Sequence, residues 1–331
     1  MNQRALTISQ LKLKRPVKAW PWDELLIQNA KRKRVTRFIS NDPEFTILEK
    51  TSRDIFGKIM NNITVDPYLG SLERWFLDSC ERHYVTTIPK GEKKTLNMNH
   101  FFERDTTVIS FFVERDAHMV LDVSSVRKNS PGMKSHIWLF HQQENSKVTF
   151  RLNSEFTNSQ HLFIVSYLEA RANFSFVSHL MFRKYQYGTV AVHHLDKESA
   201  ASLKIALEAY KTSRSYYRLV QNHLGKNSSG TMKVKAIGSD DAIVHIDGLI
   251  KIGKNAEGTD SHLNESALLL SSDAMIKAIP NLEILNNDVA CSHSATVGNI
   301  DPDQVYYLVS RGISADDARR LIVKGFFRDI V

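Results

Sequence analysis

Asp288-Val289-Ala290-Cys291-Ser292-His293-Ser294-Ala295-Thr296-Val297-Gly298 is the stretch on which the reading of this chain turns. Its β-branched and small residues suit extended backbone. In a strand, side chains two residues apart point the same way, so Cys291 and His293 share a face. Thiolate and imidazole are both good ligands for iron. Just beyond, Asp301-Pro302-Asp303-Gln304 sets a capping residue before a proline at the first helical position, with Gln three residues after the cap. Val305, Tyr306, Leu308 and Val309 then form one helical face, and Gly312 supplies a stop. Ser314 caps a second helix, with Asp317 three residues later. Ala318, Leu321 and Ile322 line its face, and Gly325 ends it before Phe326-Phe327. Helices this short are not stable alone and must pack on the preceding sheet or on another chain.

Upstream, from about residue 86 to 300, short apolar or alternating runs recur between turn-forming residues. They include 107–113, 119–123, 137–140, 148–152, 162–167, 174–180, 189–193, 232–236, 242–246, 249–252 and 268–270. Runs this short, rich in Val, Ile, Phe and Thr, predict strands. Asn129-Ser130-Pro131-Gly132, Gly225-Lys226-Asn227-Ser228-Ser229-Gly230 and Gly253-Lys254-Asn255 supply turns. Residues 197–210 also fit a helix. The runs share no clean repeat, so pattern alone leaves a sandwich, a barrel and a solenoid open. Residues 1–85 read as mostly helical, with a helix from Trp22 to about Arg37 and apolar helical faces at 54–60 and 72–77. Trp20, Trp22 and Trp75 read as packing residues, and Cys80 as a buried structural thiol.

Composition removes several classes. Hydrophobic residues are 42% of the 331 positions and charged residues 24%, the balance of a globular chain. No run approaches the roughly 20 apolar residues of a membrane span, and residues 1–15 lack the layout of a secretory signal. The two cysteines exclude a disulfide framework and fit a reducing cytoplasm. Nor can they build a four-cysteine cluster site alone. The net charge of +8 and the run Lys31-Arg32-Lys33-Arg34 raise the question of nucleic acid. No zinc-finger spacing, RNP-like segment or phosphate loop accompanies them, so the run reads as a solvated helix face. A Gly-x-Ser-x-Gly elbow and a His-Glu-x-x-His helix are absent. Adjacent His193 and His194 fall on opposite strand faces. Asp240, Asp241 and Asp247 form the one suggestive carboxylate grouping and read as solvated turn residues.

A set of short pieces recurs at family-like separations. These are Gly248-Leu249-Ile250-Lys251-Ile252, Ala256, Thr259-Asp260, Leu268-Leu269-Leu270, Pro280-Asn281-Leu282-Glu283-Ile284, the opening stretch, Ile300-Asp301 and Tyr307-Leu308-Val309-Ser310-Arg311-Gly312-Ile313. In this order, residues 242–326 resemble the C-terminal region of the SufB/SufD family of iron–sulfur cluster assembly proteins. The resemblance implies a mainly β fold: a right-handed parallel β-helix core over 86–300, with helical parts at 1–85 and 301–331. It also implies pairing of two chains through their β-helices, as SufB with SufD or as a homodimer. A cytosolic ABC-type ATPase, SufC, would dock on the helices over 301–310 and 314–324. Tyr306, Tyr307, Arg311, Leu321 and Phe326 are the candidate docking residues, since aromatics and Arg are favoured at interfaces.

The same resemblance points to a branch. SufB-type chains carry glutamates on either side of the motif histidine and a cysteine upstream. Here Ser292 and Ser294 flank His293, and Ser272 stands at the upstream position, so the chain resembles the SufD branch. The expectation is a non-enzymatic scaffold or accessory subunit with no tightly bound cofactor, ATP hydrolysis belonging to its partner. Cys291 and His293 are then candidate ligands for iron or a transient cluster at the subunit interface. Three alternatives stand beside it. Cys291 can be a buried hydrophobe with His293 a hydrogen-bonded interface residue. A homodimer can itself be the scaffold. From another class, some parallel β-helices are polysaccharide-cleaving enzymes.

Overall fold

The computed structural model describes residues 46–47, 83–99, 106–125 and 134–330. A nine-stranded sheet is ordered β1 (Thr46–Ile47), β2 (His83–Ile88), β4 (Thr106–Val113), β6 (Lys134–Gln142), β8 (Gln160–Leu168), β10 (Tyr185–His194), β12 (Arg214–His223), β14 (Ile243–Ile252) and β16 (Met275–Ile284). An eight-stranded sheet is ordered β3 (Lys93–Asn99), β5 (His118–Ser125), β7 (Lys147–Phe156), β9 (Asn173–Phe182), β11 (Ala200–Ala209), β13 (Ser229–Gly238), β15 (Thr259–Leu269) and β17 (Val289–Asn299). Apart from the antiparallel β1–β2 contact, each pairing is parallel and skips one strand. The chain therefore crosses between sheets at every corner and returns one turn further on. This is a parallel β-helix. Helices α1 (Pro302–Ser310) and α2 (Ala315–Phe327) follow it.

Alternation builds the core. In β9 and β14 every second residue is buried, and these residues meet in the lumen between the sheets. Trp138, Phe140, Phe150, Phe174 and Phe176 form a run of rings with centroids 5.1–5.4 Å apart. Each such side chain contributes roughly 1.5–3 kcal/mol by leaving water.

The corners stack as regularly as the strands. Where the chain passes from the nine-stranded to the eight-stranded sheet, Gly91, Asp116, Asn145, Arg171, Glu198, Asn227 and Gly258 all have φ between 52° and 72°. Each N–H donates to the carbonyl just before its counterpart on the next turn: Asp116 to Glu144 at 3.1 Å, Arg171 to Lys197 at 2.9 Å, Asn227 to Glu257 at 2.7 Å. Left-handed backbone is costly for Arg171 and Glu198, and these bonds between turns hold it in place.

Several expectations change here. Residues 200–209 of the segment that also fits a helix are strand β11: Leu203, Ile205 and Leu207 alternate into the lumen, and both edges pair, with β9 and β13. The runs 242–246 and 249–252 fuse into β14. Its Gly248 stays bare because a Cβ there would lie 2.5 Å from Glu265 Oε1 and 2.6 Å from Leu263 Cδ2. Gly325 does not end α2, which runs on to Phe327. Phe327 and the following Ile330 bury against Ala206 and Ile237 on the solenoid wall. The expectations for residues 1–45 and 48–82 and for the turn at 129–132 lie outside the described residues. So do Trp20, Trp22, Trp75, Cys80 and the basic run at 31–34. Among the described residues, no helix is long and apolar enough to cross a membrane.

Candidate functional site

The last turn of the solenoid is open. β16 pairs with β14 and β17 with β15, and among the described residues neither has a strand on its other edge. Free strand edges are templates for another chain. Around them Met275, Ile279, Ile284, Leu285 and Val297 are exposed.

Register places the candidate ligands. Cys291 lies over Ser261 and His293 over Leu263, both buried lumen residues, so both candidates sit on the inward face of β17. Cys291 is partly buried against the core, and His293 is exposed. Burial and the nearby Asp260 carboxylate push the Cys291 thiol up, so it is not a preformed thiolate. Ser292 and Ser294 sit on the outer face. Ser292 Oγ is 2.6 Å from His262 Nδ1, and Asn264 donates to Ser294 Oγ at 2.8 Å.

Behind Cys291 a buried polar file runs down the lumen. His223 Nε2 is 3.0 Å from Ser261 Oγ, and its ring stacks on His194 with centroids 4.2 Å apart. Ser228 Oγ donates to the Gly225 carbonyl, so it accepts from His223 Nδ1–H at 2.8 Å; Nε2 then accepts from Ser261. Burial lowers His194 to about 4 and His223 to about 2, so both rings are neutral at physiological pH. His193, by contrast, faces outward and stacks on Tyr167.

Glu265 escaped the reading of the sequence. It projects from β15 beneath Ala295, fully buried, and neither carboxyl oxygen has a hydrogen-bond partner among the described residues. Burial, with the Asp247 charge second, raises it to about 8. The one available signal was its parity with buried Leu263 in an alternating strand. Ser272 lies in the exposed corner between β15 and β16. That is the far end of β15 from Ser261, so Ser272 and Cys291 do not converge. The carboxylates do not converge either: Asp240 sits in a corner, while Asp247 on the outer face of β14 accepts from Tyr216 at 2.9 Å.

The helices divide their candidates. No residue of α1 is buried, and Tyr306 is 75% exposed. Tyr307 and Leu321 are exposed too. Arg311 lies 5.3 Å from the Tyr307 ring centroid. Phe326 is not on the outward face. It packs on the wall, and its carbonyl accepts from Lys235 Nζ at 2.6 Å.

Residues 87–326 match the family model described as SUF system FeS cluster assembly, SufBD core domain. The chain belongs to the SufBD family. The match takes in nearly all of the parallel β-helix and the two helices that follow it. Iron–sulfur cluster assembly protein SufD of Escherichia coli (strain K12) is 41% identical over 96 residues, 29% of this chain and 23% of that protein. SufB of Bacillus subtilis (strain 168) is 36% identical over 104 residues, 31% of this chain and 22% of that one. SufD of the same strain is 38% identical over 109 residues, 33% of this chain and 25% of that protein. The aligned stretches thus span about a quarter of each relative's length.

Proposed function

We propose that this SufBD chain is a SufD-like accessory scaffold subunit of a SUF complex. It pairs through its last turn with a second family member, SufB-like or a copy of itself, and carries a SufC-like ABC ATPase on α1 and α2. The open turn bearing Cys291 and His293 carries this reading. Those side chains offer two donors, and among the described residues no three or more His, Cys, Asp or Glu are grouped to hold a metal. Iron or a cluster is cargo here, and a second chain supplies the remaining ligands. A strand added to β17 would cover both residues and close the lumen over them. The exposed Tyr306, Tyr307 and Leu321 support docking at the helices, where large side chains act as anchors.

Co-expression with a SufC-like ATPase and a SufB-like subunit, followed by light scattering of the purified complex, tests the assembly. The parent is expected to hold both. Tyr306→Glu with Tyr307→Glu loses the ATPase alone, and Ala295→Arg on β17 loses the second chain alone. Failure of the parent to hold either protein, or retention of both by these variants, contradicts the proposal.

A further inference from the structure

Away from the open turn, α2 roofs a cleft on the outer face of the eight-stranded sheet. Its volume is about 580 Å³, within the roughly 300–1,000 Å³ of small-molecule sites. Leu270, Val323 and Phe327 form an apolar bed. On the strand side the buried Glu208 anchors a polar cluster, bonded by His179 Nε2 at one carboxylate oxygen and by the Tyr210 hydroxyl at the other, 2.5 Å away. Burial acts to raise Glu208, but the hydrogen bonds from His179 and Tyr210 more than offset it and keep the group a carboxylate. Its charge is therefore already engaged within the wall.

The helix side is cationic. Arg319, Arg320 and Lys324 line it. Arg320 pairs with Asp317, Arg319 is 3.7 Å from Asp316, and Lys324 has no ion-pair partner among the described residues. A cleft with an apolar bed and one cation, Lys324, outside any ion pair among the described residues offers complementary contacts to an anion with an apolar body.

We propose that this cleft binds a small amphipathic anion, an aromatic or branched aliphatic body bearing one phosphate or carboxylate. The body lies on Leu270, Val323 and Phe327, and the anionic group meets Lys324 and Arg319. His179 stands on β9 and Glu208 on β11, whereas the cations stand on α2, so the ligand bridges helix and wall and favours the docked helix. This site is independent of whether α1 and α2 carry an ATPase.

Titration calorimetry on the full chain tests it with three probes: phenyl phosphate, inorganic phosphate as head alone, and benzyl alcohol as body alone. Phenyl phosphate is expected to bind at least about tenfold tighter than either fragment, since both halves of the cleft contribute. It should also slow amide exchange in α2. Lys324→Ala should weaken binding several-fold, as loss of one charge-assisted contact does. Val323→Trp from the helix side and Leu270→Trp from the solenoid side each fill the cleft and should abolish binding, so one misfolded variant does not decide the matter. Absence of phenyl phosphate binding overturns the proposal. So does binding no tighter than that of inorganic phosphate, or binding that survives in both tryptophan variants.

Discussion

Cys291 lies directly over Ser261 while His293, on the same face of β17, lies over Leu263, so the two candidate ligands prolong the lumen lining into the open end of the solenoid. One lumen residue under them is polar and tied to a neutral histidine; the other is apolar. The thiol is thus presented from a polar file, and the imidazole from an apolar floor.

The first consequence concerns the thiol. Burial and Asp260 raise Cys291, so alkylation of the free chain should be slow at pH 7 and accelerate only in the alkaline range. Pairing with a second SufBD chain should slow it further, by about tenfold or more if a strand covers β17. Peptide-resolved mass spectrometry after timed iodoacetamide exposure separates Cys291 from Cys80. Fast labelling at pH 7, or labelling indifferent to the partner, goes against the placement.

The stacked histidines make stability acid-sensitive. Both are depressed below 6.5 in the fold, to about 4 for His194 and about 2 for His223. The unfolded chain therefore takes up protons first. The contribution is complete above pH ~6.5 and is lost as pH falls, by up to about 1.4 kcal/mol per unit for each ring. Urea unfolding between pH 7.5 and 5 should show the decline, and His223→Gln should flatten it. Equal slopes in parent and variant would remove the stack from the acid response.

Glu265 has the opposite sign. Its folded value of about 8 lies above the ordinary 4.5, so the stability it supports is full below pH ~4.5 and is lost as pH rises through 8. Glu265→Gln should stabilise the protein at pH 7 by up to about 3 kcal/mol and change little at pH 4. Denaturation of both proteins at the two pH values checks this. A variant less stable than the parent at pH 7 would mean that the carboxyl has a partner the free chain does not reveal.

At the stacked corner, Gly258 has φ +69° and a Cβ there would lie 2.1 Å from Asn227 Oδ1. Gly258→Ala should cost about 1–3 kcal/mol through backbone strain and the displaced amide. Thermal unfolding measures it, and an unchanged melting temperature would contradict the stacking.

Much of the solenoid was legible as strands, and some of it was not, for physical reasons. Residues 174–180 were legible because Phe174, Phe176 and Leu180 line the lumen while Ser175 and His179 lie on the outer face of β9. β12 escaped because Ser215, Gln221 and His223 are among its lumen residues, and a polar lumen hides the period. The repeat escaped because turn length varies: Lys93 pairs with His118 after 25 residues, but Ile243 pairs with Met275 after 32. The shared face of Cys291 and His293 followed from strand parity alone. Glu265 required the register, since a single acid in a strand otherwise reads as solvated. Phe326 and Gly325 were misread because their roles depend on the wall of β11 and β13, remote in sequence.

The most direct measurement is iron bound per assembled complex, with parent chain or His293→Ala, under reducing conditions. Because His293 is exposed, the variant should keep its melting temperature and partner stoichiometry while its iron content falls by about tenfold, as loss of a ligand predicts. Equal iron loading in the two complexes would contradict the assignment of His293 to the cargo site.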